Sequence, residues 1–92
     1  MRLRFLTQIT FNNLFAGTTY DAASDSINFG NLTYAELLQK ITLHYQATDA
    51  NFRQDFLKQI SAILKQIPNG ALNGLDKNSI DADLANLAVI GN

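Results

Sequence analysis

The chain carries one histidine, His44, and no cysteine. Those two counts bound its chemistry before any fold is considered. A single imidazole is the one side chain whose ordinary titration falls near neutrality, so it is the natural candidate for a general base or a pH-sensitive contact. No carboxylate stands three or four residues away to orient it, and the nearest serines, Ser26 and Ser61, lie outside any G-x-S-x-G context. That context matters because a sharp strand-to-helix turn is what exposes a nucleophilic serine. Beside Tyr45, on the border of an apolar helical face, His44 reads as a half-buried helix-flank residue. Without cysteine there is neither a disulfide framework nor a thiolate metal site. No enzymatic activity is expected, and no catalytic residue is assigned.

Residues 73–84, NGLDKNSIDADL, resemble the second half of a calcium-binding EF-hand loop, where an isoleucine precedes an acidic residue and a new helix. The register fails. With Ile80 at loop position 8, positions 1, 3 and 5 fall on Asn73, Leu75 and Lys77, and position 12, which needs a bidentate glutamate, falls on Leu84. A lysine and two leucines cannot supply calcium ligands. Asp81 and Asp83 instead suit the first turn of a helix, where the dipole favours anions. The five glycines are dispersed and form neither a Walker A loop nor G-x-G-x-x-G. No metal and no cofactor is expected. Arg2 and Arg4 share one side of the N-terminal segment with Gln8 and Thr10, without interleaved aromatics, and the formal net charge is −1. Nucleic-acid-binding domains present a basic face, so a nucleic-acid partner is not expected.

What remains is surface. Charged residues make up 16% of the chain, against about 25% in average domains. Asparagine and glutamine number sixteen, one more than the fifteen charged residues. Polarity supplied by amides is less costly to desolvate than charge, and interface cores are depleted in charge. A net charge near zero also leaves little self-repulsion against association. From Phe5 to Tyr20 there is no charged residue at all. An uncharged, apolar strand is a template for pairing unless something covers it.

The elements that must position these residues follow from periodicity. In Met1 to Asn12, Met1, Leu3, Phe5, Ile9 and Phe11, with Thr7 among them, alternate with Arg2, Arg4, Gln8, Thr10 and Asn12, interrupted by Leu6, which is the pattern of a strand. Asn12-Asn13 or Ala16-Gly17 can turn the chain, Thr18 to Tyr20 can return as a strand, and Ser26 to Phe29 shows a second short alternation. Thr33-Tyr34-Ala35-Glu36 has the form of a capping box, with Leu32 and Leu37 as its hydrophobic staple. The helix it opens runs to about Gln46, with Tyr34, Leu37, Leu38, Ile41 and Tyr45 within roughly a 100° arc and Leu43 nearly opposite. Thr48 or Asp49 caps a second helix. Its residues Phe52, Phe56, Leu57, Ile60, Ile63, Leu64 and Ile67 fill an arc of about 140°. Pro68 stops it. Asn69-Gly70 and Asn73-Gly74 are turn dipeptides, and Ser79 caps a short last helix.

The expected fold is α+β: a small N-terminal antiparallel β segment, either a hairpin or a short sheet, packed on an antiparallel helical hairpin, with a short C-terminal helix. A chain of 92 residues makes one domain, residues 1–92, divided into a β-rich part (1–31), the helical hairpin (33–67), a turn-rich loop (68–78) and the last helix (79–90). Nothing approaches the roughly 20 apolar residues of a membrane span, and polar residues interrupt any signal-peptide core. A membrane partner is not expected, and the compartment stays open between cytoplasm and virion.

The function expected is that of a non-catalytic protein–protein interaction or assembly subunit, forming homo- or hetero-oligomers, for which a small phage or virion component is the compositional example. Its contact residues would be Phe11, Leu14, Phe15 and Tyr20 around the first turn, with Leu43 on the outer helical face. The alternative is a small inhibitor or immunity-type protein. It would bind one target through the helical hairpin, at Leu43, His44 and the Asp49–Arg53 side.

Overall fold

The structure, a computed structural model, describes residues 13–24 and 26–91. The strand expected over Met1 to Asn12 lies outside the described residues. At Asn13 and Leu14 the backbone is helical. The chain then turns at Ala16-Gly17, where the Thr18 amide donates to the Phe15 carbonyl (3.0 Å) and Gly17 takes φ +85°, a conformation that costs glycine nothing.

Strand β1 (Thr19–Asp21) pairs antiparallel with β2 (Ser26–Asn28), in the register Thr19↔Asn28, Tyr20↔Ile27 and Asp21↔Ser26. The Asp21 carboxylate closes the connection by accepting from the Ala23 amide and the Ser24 hydroxyl, both at 3.0 Å. The hairpin joins the core at its base. Phe29 is buried against Phe15, with ring centroids 6.4 Å apart, and Ile27 packs on the same cluster.

Helix α1 (Tyr34–Ala47) begins at the expected threonine. The Glu36 amide donates to Thr33 Oγ1 at 3.2 Å. The reciprocal half of the box differs from expectation: Glu36 Oε1 takes the threonine hydroxyl, at 3.2 Å, rather than the threonine amide. Tyr34, Leu37, Ile41 and Tyr45 are the buried face, as the period requires.

The next two helix starts differ in kind from the sequence expectation. Asp49 does cap, but what it opens is a short 3₁₀ turn, Ala50–Phe52, with the Asn51 amide on Asp49 Oδ1 at 2.9 Å. Helix α2 (Arg53–Gln66) follows. Ser79 is not the cap of the last helix. Asp76 takes that role by accepting from the Asn78 amide (3.0 Å) and the Ser79 hydroxyl (3.3 Å), opening the 3₁₀ turn Lys77–Ser79 ahead of helix α3 (Ile80–Gly91). A carboxylate that turns back on the amide two residues ahead favours this tighter start.

The packing partner of the helical hairpin is α3. It contacts both α1 and α2 more extensively than those two contact each other. Ile60, Ile63, Leu64 and Ile67 meet Ile80, Leu84 and Leu87 in one continuous core with Leu37 and Ile41, and Leu72 plugs the intervening loop. That loop is tied to the start of α1 by a parallel bridge between Thr33 and Asn73, in which the Tyr34 amide donates to the Asn73 carbonyl at 2.8 Å.

A second tie sits nearby. The Tyr34 hydroxyl donates to Asp83 Oδ2 at 2.8 Å, joining the first turns of α1 and α3. Burial first, and then the hydrogen bond to Asp83, push the Tyr34 phenol above its ordinary value. A raised folded value means that the contribution is complete below the ordinary tyrosine value of about 10 and is lost as pH climbs above it. Thermal stability should therefore fall on raising the pH past that value. In Tyr34→Phe, which starts less stable for want of the hydrogen bond, the fall should be flatter. Melting temperatures across an alkaline series check this.

Candidate protein-interaction surface

Three large apolar side chains are exposed among the described residues: Leu43 (67%), Phe52 (63%) and Val89 (78%). Two of the three belong to the same end of the helical hairpin. Leu43 lies one turn before the end of α1, on the face turned away from Leu37 and Ile41. Phe52 ends the 3₁₀ turn that leads into α2. The exposure of Phe52 corrects the sequence expectation, which put it on the buried arc of α2 with Phe56. A 3₁₀ turn advances by three residues per turn rather than 3.6, so Phe52 leaves the register that Phe56, Ile60, Ile63 and Leu64 keep.

The connection that presents these residues is clamped by Arg53. Its Nε donates to the carbonyls of Tyr45 (3.1 Å) and Thr48 (3.0 Å), and an Nη donates to that of Gln46 (3.1 Å). The guanidinium also stands 5.0 Å from the centre of the Tyr45 ring. One cation thus caps carbonyls at and just beyond the end of α1, of which that of Tyr45 also accepts the Thr48 amide at 3.1 Å, and complements the negative end of the helix dipole. Behind the surface, His44 stacks obliquely on Phe56, with centroids 4.9 Å apart. That contact accounts for His44 as a packing residue of the hairpin. The Thr48 hydroxyl donates to the His44 carbonyl at 2.7 Å.

Of the residues singled out in the sequence, Leu14 and Phe15 are 1% and 3% exposed and belong to the core. Their apolar area is covered within the chain by elements that the sequence does not place beside them: Phe29 at the base of the β hairpin for Phe15, and α1 for Leu14. Leu14 does meet Leu43 at one place, a shallow groove of about 290 Å³ lined by Asn13, Leu14, Lys40, Leu43, His44 and Ala47. Phe11 lies outside the described residues, as does the side chain of Tyr20. Of the described candidates Leu43 stays on the surface, and Phe52, which falls within the Asp49–Arg53 side of the alternative reading but which the helical period places on the buried arc of α2, is exposed as well. The only sequence signal for Phe52 is its place three residues after a capping aspartate.

Elsewhere the polar side chains form small structural ties. Asp81 accepts from Lys65 Nζ (3.1 Å) and the Ser61 hydroxyl (3.2 Å), beside an open groove of about 460 Å³ between α2 and α3. The Lys65 ammonium, and after it Ser61, hold the Asp81 carboxyl below the usual carboxylate range. A carboxylate held ionised in this way is a poorer proton acceptor for Ser61, and an exposed pair contributes little to stability. Among the described residues no group of three or more histidine or acidic side chains is arranged to hold a metal ion. No helix among them is long and apolar enough to cross a membrane.

The chain matches no protein-family model, and comparison with curated proteins and with solved structures returns no significant match.

Proposed function

We propose that the chain is a non-catalytic protein–protein interaction domain that engages its partner through the turn end of the helical hairpin, with Leu43 and Phe52 as the apolar anchors. The observation that carries this reading is the exposure of both side chains on either side of a connection clamped by Arg53. Large apolar groups held in a fixed relation on a surface are what a partner site offers. A charge-poor, amide-rich composition supports the same reading, since charge is depleted at interface cores. In an assembly subunit, a virion component for instance, such a surface would be repeated through a multimer.

The burial of Leu14 and Phe15 favours the second reading, an inhibitor or immunity-type protein, to the extent that it moves the contact from the N-terminal segment to the hairpin. The two readings part on stoichiometry: a monomer across a wide concentration range in sedimentation experiments fits the single-target protein, and a defined oligomer fits the assembly subunit.

Both predict the same mutational pattern. In capture from extracts of the source cell, Leu43→Glu and Phe52→Glu should each lose a protein that the unaltered chain and Val89→Glu retain. Exposed substitutions of this kind shift stability by within about 0.5 kcal/mol, so melting temperatures should be nearly unchanged. Equal capture by all four chains would overturn the proposal.

A further inference from the structure

The loop between α2 and α3 contains the dipeptide Asn-Gly twice, in two turns built alike. At Pro68–Ala71 the Ala71 amide donates to the Pro68 carbonyl at 3.1 Å, and Gly70 has φ +83°. At Leu72–Leu75 the Leu75 amide donates to the Leu72 carbonyl at 3.2 Å, and Gly74 has φ +86°. Both asparagines and both glycines are exposed to water. Asparagine followed by glycine is the pair most prone to cyclise, because no side chain shields the glycine nitrogen.

The two sites differ in what holds the peptide unit that must move. Ring closure rotates the Asn–Gly peptide about the asparagine Cα–C bond, and the asparagine carbonyl oxygen swings with it. At Asn73 that oxygen accepts the Tyr34 amide at 2.8 Å, within the bridge to Thr33. A Cβ placed on Gly74 would stand 3.6 Å from the Tyr34 Cβ, so that turn lies against α1. At Asn69 the carbonyl has no hydrogen-bond partner among the described residues, and nothing stands within 4 Å of a Cβ placed on Gly70.

We propose that Asn69 is a site of spontaneous deamidation, and that the bridge to α1 protects Asn73 from the same reaction. The Gly70 amide nitrogen, giving its proton to solvent base, attacks Asn69 Cγ. The Cγ–Nδ2 bond breaks and the nitrogen leaves as ammonia, having taken up a proton. Water then opens the cyclic imide at either carbonyl to give aspartate or isoaspartate. The net change is addition of one water and loss of one ammonia, with no oxidant or reductant. The product adds one negative charge beside the end of α2. In the isoaspartyl form it also lengthens the main chain by a methylene between α2 and α3.

The test is incubation of the full chain at mildly alkaline pH, followed by trypsin. The peptide from Gln66 to Lys77 contains both sites, and its fragment spectra locate the mass gain of amide-to-acid conversion. In the folded chain Asn69 should convert about tenfold faster than Asn73, the factor expected when one extra hydrogen bond must open. In concentrated urea the two rates should converge. In Asn69→Gln the fast conversion should disappear. Conversion of Asn73 as fast as Asn69 in the folded chain would overturn the proposal. So would an intact Asn69 over the time in which the urea-unfolded chain converts.

Discussion

Phe15→Lys is expected to unfold the chain rather than to leave a folded protein deprived of its partner. Phe15 is 3% exposed, shares the core with Leu14 and Leu32, and stacks on Phe29. Removing a buried aromatic ring costs about 3–5 kcal/mol through lost burial and the cavity left behind. A lysine adds the penalty of placing an ammonium among buried apolar side chains. Small domains hold only roughly 5–15 kcal/mol in reserve, so a loss of this size leaves a chain of this length mostly unfolded at ordinary temperature. Circular dichroism at the helical minima reads the outcome directly. Full helical signal and a cooperative melt close to that of the unaltered chain would show that Phe15 is not a core residue.

The second large effect falls on Arg53. Arg53→Ala removes three hydrogen bonds to the carbonyls of Tyr45, Gln46 and Thr48, together with the contact over the Tyr45 ring. Hydrogen bonds from a charged donor are worth more than neutral ones, but each is half-offset by water that replaces it. The combined loss should be about 2–3 kcal/mol. Arg53→Lys should recover little of it, because an ammonium cannot span three carbonyls with the planar fork of a guanidinium. Chemical denaturation separates the variants: both should show a lowered midpoint with an unchanged slope, lysine lying close to alanine. A lysine variant as stable as the original would mean that charge alone, and not the fork, closes the hairpin.

Elements with local signals are legible in the sequence, and those fixed by tertiary contacts are not. The start of α1 is legible because its signals are local: Thr33 and Glu36 sit three apart, and Leu37, Ile41 and Tyr45 repeat at helical spacing. The stop at Pro68 and the turns at Gly70 and Gly74 are legible for the same reason, since one residue type carries each. Phe15 is not legible in this way. Its cover is Phe29, which arrives only after the β hairpin has reversed the chain. In one dimension it therefore reads as apolar area left over. Phe52 fails in the opposite sense. A uniform helical period puts it with Phe56, and only the 3₁₀ turn opened by Asp49 moves it outward. The role of α3 as the partner of both hairpin helices is likewise a matter of tertiary packing, invisible to the weak, alanine-rich periodicity of Ile80–Gly91.

The proposed interaction surface rests on subtraction: the core claims Leu14 and Phe15, while Leu43 and Phe52 stay outside it at the clamped end of the hairpin. Site-specific photo-crosslinking in the source cell tests that surface whatever the partner is. A photoreactive phenylalanine is placed in turn at Leu43, Phe52 and Val89, three exposed positions that tolerate it in the fold. The expected result is one crosslinked species of the same mass from positions 43 and 52 and none from position 89. Crosslinking from position 89 alone, or from none of the three, would contradict the assignment.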